Sequence, residues 1–247
     1  MKLVHLPDYA VKLPRVHGFS DDFNHITAAD LWTKVVDGGG TALGSDAAGG
    51  VVVLTGDGDD NDATIIKTTH QLFTIVAGKP LTFIARVKYT EAATNVADIF
   101  FGLSDDAVAD TFISDSGVLD TSFDGVGFYK LEGSGNVNWN VVTSNATTQT
   151  TTKTDVVATT DTNYNTFRID VNPVNSTDFE VVFFIDDLGG NDFAQCRESG
   201  ANPRTPAIKH TGLISGLQEM NVMFGIKNGS GAAEIMYIDY VSCFQTR

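Results

Sequence analysis

Long apolar runs are missing from this chain. The longest, such as Val181–Ile185, have only strand length, so no segment reads as a membrane-spanning helix. Cysteine is nearly absent too: two in 247 residues build no disulfide framework. Cys243 reads as a buried structural thiol and Cys196 sits in a polar loop, with a bridge between them as the alternative. Positive charge is scarce. Sixteen Lys and Arg against 31 Asp and Glu leave a net −15, which repels nucleic acid and anionic membrane, so neither is an expected partner. Solubility is the plain alternative reading of that charge. Pro7, Asp8, Lys12 and Pro14 interrupt the first twenty residues, so no signal peptide is expected there and synthesis in a cytoplasm fits best.

Catalytic patterns are missing as well. The histidines, His5, His17, His25, His70 and His210, form neither His-x-His nor His-Glu-x-x-His, which argues against zinc. No Gly-x-Ser-x-Gly elbow and no Gly-x-x-x-x-Gly-Lys phosphate loop occurs. Glycoside cleavage needs two carboxylates about 5–10 Å apart. The glutamates, Glu91, Glu132, Glu180, Glu198, Glu219 and Glu234, are all far from one another in sequence. Glu234 and Asp239 have odd spacing, which puts them on opposite faces of one strand. The expectation is a protein that is not an enzyme, with no catalytic residue.

What is present is period-two alternation. Leu81, Phe83, Ala85, Val87 and Tyr89 share one face, and Thr82, Arg86, Lys88 and Thr90 the other. Similar segments recur at 33–36, 51–55, 63–68, 98–103, 125–131, 137–143, 165–171, 179–185, 220–227 and 234–244. Turn clusters at 37–40, 56–60, 132–135 and 227–231 separate them. Asn228-Gly229 between two alternating arms reads as a β-hairpin. The Thr-rich stretch 147–154 reads as a polar edge strand or hairpin. The fold class expected is all-β, an antiparallel β-sandwich over residues 19–247, preceded by an extended N-terminal arm over 1–18. The arm is basic and aliphatic. Leu3, Val4, Leu6, Val11, Lys12, Leu13, Arg15 and Val16 are its candidate docking residues, and a frayed terminus is the alternative.

Two further sites invite a reading. Asp57, Asp59, Asp60 and Asp62 are dense carboxylates on a turn, suited to Ca²⁺. Their register is not that of an EF-hand, with Asp62 where Gly is needed and Thr68 where Glu is needed. The plain alternative is a solvated hairpin loop with no cofactor. Trp139 and Tyr129 are the candidates for stacking on a sugar ring, with a place in the core as the alternative for Trp139.

Several of these segments also carry a resemblance. The run Gly78-Lys79-Pro80-Leu81-Thr82-Phe83-Ile84-Ala85-Arg86-Val87-Lys88 resembles a family of tailed-bacteriophage virion proteins with a concanavalin A-like, laminin-G-like jelly roll. So do Asn61-Asp62, Phe101-Gly102-Leu103-Ser104-Asp105, Phe128-Tyr129-Lys130, Gly225–Ser230, Ile238–Val241 and Gln245-Thr246-Arg247. The resemblance covers residues 19–247. It implies a jelly-roll decoration or cement protein on the capsid exterior of a virion, assembled in the host cytoplasm. It implies the major capsid protein and the chain itself as partners, in a closed homo-oligomer with a trimer ahead of a dimer. The alternative function is a carbohydrate-binding jelly-roll module on a virion or cell-surface assembly.

Overall fold

The computed structural model of the chain describes residues 16–24, 31–45, 50–106, 108, 112–115, 117–133, 137–145, 148–158, 163–186, 194–200 and 207–247. Two antiparallel sheets pack face to face as a β-sandwich. The nine-stranded sheet contains β13 (Ala194–Gln195), β12 (Asp178–Asp186), β11 (Asn165–Pro173), β6 (Leu81–Thr90), β16 (Ile235–Thr246), β4 (Val51–Thr55) and β3 (Thr41–Ser45), in that order. Off this path, β1 (Val16–Asp21) pairs with β16, and β14 (Lys209–Leu213) pairs with β12. The seven-stranded sheet runs β10 (Thr148–Val157), β9 (Asn138–Asn145), β8 (Gly125–Lys130), β7 (Ala97–Ser104), β15 (Asn221–Asn228), β5 (Ala63–Thr68) and β2 (Trp32–Val36). Among the described residues no helix is long and apolar enough to cross a membrane.

Alternation places the core. The inward residues of β6 are all buried, while Thr82, Ile84, Arg86 and Lys88 are half-buried on the outer face. Phe101 sits at the centre of the interlayer and meets Phe128, Trp139, Phe167 and Phe224 at ring-centroid distances of 5.7, 5.5, 4.7 and 6.3 Å. Each such ring contributes about 1.5–3 kcal/mol by leaving water.

The middle of the seven-stranded sheet is buried on both faces, and β7, β8 and β15 have no exposed residue. The cause is a second layer. The described part of the connection from β7 to β8, residues 105–106, 108, 112–115 and 117–124, lies across the outer face as a strap. It buries Phe112, Ile113, Leu119 and Phe123 against Phe100, Tyr129, Val142 and Met223. Hydrogen bonds tether it to the sheet. Lys227 Nζ donates to Ile113 O at 2.8 Å and Asp115 Oδ1 at 2.7 Å, and Gln149 Nε2 donates to Asp120 O at 2.8 Å.

The connections correct the expected hairpins. β15 and β16 lie in different sheets, so Asn228-Gly229 starts a crossover. Asn228 is fully buried, donates from Nδ2 to Asp59 O at 3.0 Å and accepts at Oδ1 from Glu234 N at 3.0 Å. Residues 37–40 and 56–62 likewise carry the chain between sheets. The physical reason is that alternation shows which face of a strand is buried; it does not show which sheet the strand joins. The Thr-rich segment does form the edge strand β10. β1, β3, β13 and β14 went unread because they are short, polar or glycine-broken.

The arm boundary is also corrected. β1 starts at Val16 and pairs with β16 from Val16↔Thr246 to Asp21↔Val241. Residues 16–18 therefore belong to the nine-stranded sheet, with Val16 on its exposed edge. Leu3, Val4, Leu6, Val11, Lys12, Leu13 and Arg15 lie outside the described residues.

Candidate functional site

The two aromatic candidates are both inside. Trp139 is 2% exposed and packs edge-on against Tyr89, Phe101 and Phe167. Tyr129 lies under the strap, 7% exposed, where burial pushes its hydroxyl pKa up. Neither ring has a face left for a sugar, so both stacking assignments are corrected. Trp139 alternates inward on β9, and the strap covers the outward face that carries Tyr129.

The acidic loop joins β4 to β5 as a crossover, which corrects the expected hairpin. Carboxylate oxygens of Asp57, Asp59 and Asp62 lie within 4.8 Å of one another, and Asp60 stays outside the group. Asp57 accepts from Gly39 N at 2.7 Å and from Asp59 N at 3.0 Å. A side-chain hydrogen bond between Asp57 and Asp62 pushes Asp62 up to about 6 and holds Asp57 low. Carboxylate oxygens are the donor type a hard cation takes, and three are fewer than the six to eight that surround Ca²⁺.

Two glutamates that are distant in sequence do converge. Lys130 Nζ donates to Glu91 Oε1 at 2.6 Å, and Glu234 accepts from Ala92 N at 3.0 Å beside them. Both are closed off from solvent, with the Glu91 side chain 2% and Glu234 0% exposed. A substrate bond cannot reach either carboxylate, and the buried Lys130 ammonium sits against them as an internal counter-ion.

A cleft of about 350 Å³ opens at a lateral edge of the sandwich, between strands of the two sheets. The seven-stranded sheet supplies Thr143 and Asn145 from β9 and Thr148 and Thr150 from β10. The nine-stranded sheet supplies Asp178 and Phe179 from β12 and Thr211, Gly212 and Leu213 from β14, with Ser215 beyond. Asn145 Nδ2 spans the gap, donating to Leu213 O at 2.9 Å and Ser215 O at 3.1 Å. Gly212 is required here, because a Cβ would come within 2.5 Å of the Phe179 ring.

Behind the cleft stands His210, 3% exposed. Its Nδ1 hydrogen-bonds with Thr143 Oγ1 at 3.1 Å and its Nε2 with Thr152 Oγ1 at 2.9 Å. The ring thus ties β14 to β9 and β10. Burial pushes its pKa down to about 4, so it is neutral at ordinary pH. Sequence reasoning missed this whole site. β14 is five residues long and mostly polar, and its partners on β9 lie 67 residues away in the chain. The Thr-rich edge was the one signal that pointed to it.

No protein-family model and no curated protein sequence matches the chain. Solved structures do. Peanut lectin superposes with a TM-score of 0.58 at 14% identity, covering 94% of this chain and 98% of that one. What is shared is the fold: a lectin-type, concanavalin A-like jelly roll. An endo-1,3-beta-glucanase from Streptomyces sioyaensis matches with a TM-score of 0.56 at 14% identity, covering 92% and 95%. The exoplasmic/lumenal domain of VIP36, in a Ca²⁺/Man3GlcNAc-bound form, matches with a TM-score of 0.53 at 13% identity, covering 87% and 85%. Lectin domains and a glycan hydrolase thus share this jelly roll, and nothing in these likenesses ties the chain to a virion.

Proposed function

We propose that this jelly roll is a carbohydrate-binding module and that its binding site is the edge cleft. The observation that carries the reading is the lining of the cleft. Seven polar residues from two sheets, mostly hydroxyl-bearing, face one concavity whose volume is at the lower end for ligand-sized sites. Hydroxyl and amide groups match the alternating donors and acceptors of a saccharide. The lectin-type neighbours support the same reading at the level of fold.

The charges of the cleft support binding without hydrolysis. Asp178 is the one carboxylate among the described lining residues, and a glycosidase requires a pair. The Glu91 and Glu234 carboxylates that converge elsewhere in the fold are sealed in the interior, away from the cleft. The expected capsid-decoration role has no observation in its favour and stands behind this reading.

The test is a glycan array probed with the purified chain, followed by calorimetry on the best ligand and chromatography of that ligand after prolonged incubation. Saturable binding with the ligand recovered intact is the expected result. Absence of binding across the array would overturn the glycan reading, and cleavage lost on changing a single carboxylate would overturn its non-enzymatic half.

A further inference from the structure

We infer that the edge cleft selects a neutral saccharide segment, held through hydroxyl donors to Asp178 Oδ1, and rejects uronate-bearing chains. This rests on the glycan-binding reading above.

Asp178 is half committed to its own loop. Asn175 Nδ2 donates to its Oδ2 at 2.8 Å and Thr177 Oγ1 at 2.9 Å, while Oδ1 accepts no hydrogen bond from the described residues. The free oxygen belongs to a residue that lines the cleft, on a carboxylate whose orientation is fixed from behind. The same two donors hold its pKa below the usual carboxylate value, so it is an anion at any ordinary pH. An anionic oxygen with open lone pairs accepts from hydroxyl donors in shorter, stronger bonds than a neutral acceptor makes.

The rest of the wall adds no opposite charge. Thr148, Thr150, Thr211 and Ser215 bring hydroxyls that turn to donate or accept as a ligand requires. No Lys, Arg or His is among the described lining residues. The nearby cation on β14, Lys209, is engaged with Glu180 at 2.7 Å. Leu213, 58% exposed, offers an apolar patch for the C–H face of a sugar ring. A uronate entering this site meets Asp178 with no cation between them, in a molecule of net charge −15. A neutral ring meets an acceptor, several hydroxyls and an apolar patch.

The experiment compares neutral hexose oligosaccharides with uronate oligosaccharides of equal length, on the full chain and on Asp178→Asn. Affinity is read by calorimetry at fixed low salt, and folding by thermal melt. We expect uronate chains to bind at least tenfold more weakly than neutral ones. Asp178→Asn should lose at least tenfold for the neutral ligand and narrow the gap to the uronate. Amide shift changes on adding the neutral ligand should fall on residues 143–150 and 211–215. Equal affinity for the two ligand classes, unchanged neutral binding in a folded Asp178→Asn, or shift changes elsewhere would each overturn this inference while leaving glycan binding intact. No binding of either class would instead sink the glycan reading itself. Should Asp178→Asn melt early, Thr211→Val and Thr150→Val carry the same test from the exposed side of the cleft.

Discussion

His210 and Asp98 show how burial sets the protonation of single residues. His210 bridges two threonine hydroxyls, which a neutral imidazole satisfies by donating at one nitrogen and accepting at the other. Its folded pKa is depressed from 6.5 to about 4. Its contribution is therefore complete above pH 6.5 and is lost as pH falls through 4. Urea unfolding should show the natural protein losing about 3 kcal/mol more than His210→Gln between pH 7 and pH 4. Asp98 has the opposite sign. It is buried, accepts from Glu132 N at 2.6 Å, and burial pushes it up to about 7. The folded state then holds a proton that the unfolded chain releases near 3.8, so stability declines as pH rises from there to about 7. Asp98→Asn keeps the acceptor oxygen and removes that decline. Its melting temperature should exceed the natural protein's at pH 8 and match it near pH 4.

At the scale of elements, the strap is the feature that most changes what the sheet can do. Its apolar residues turn the outer face of β7, β8 and β15 into a second core. Phe112 is 1% exposed, with its ring 4.8 Å from Phe100 and 5.1 Å from Phe123. Phe112→Ala should cost about 3–5 kcal/mol, the usual range for a buried ring, measured by chemical denaturation. Lys227 is the strap's ionic tether, with its side chain 1% exposed. Lys227→Met keeps the stem's packing and frees the strap carbonyl of Ile113. Amide exchange over residues 112–124 should then speed up before the rest of the sandwich responds. Uniform acceleration across both sheets would mean the strap opens only with global unfolding.

At the scale of the whole molecule, the N-terminal segment closes the sandwich. β1 covers the C-terminal half of β16, Phe19 meets Trp32 at 5.5 Å, and Trp32 Nε1 donates to Asp21 Oδ2 at 2.7 Å. Deleting residues 1–21 should therefore lower the melting temperature markedly, because it strips a paired strand and a cap over the only indole at that end of the described core. A deletion variant that melts like the full chain would show that β1 is dispensable.

The period-two pattern of this sequence was enough to establish an all-β sandwich, because burying one face of a strand forces that alternation wherever it occurs. It placed β4, β5 and β6 to the residue, and it identified β10 as an edge from threonines that neither core would take. What only the tertiary structure decided was partnership between distant segments. Asn228-Gly229 has the local chemistry of a hairpin, yet its two arms enter different sheets, since sheet membership depends on contacts made across the whole chain. Trp139 and Tyr129 look alike as aromatic strand residues; one faces the interlayer and the other a strap that begins 24 residues before it. The edge cleft brings together Thr143, Asp178 and Thr211, each ordinary in its own segment. A site assembled from side chains on four strands of two sheets has no local pattern to read, because its chemistry exists only once the sheets have packed.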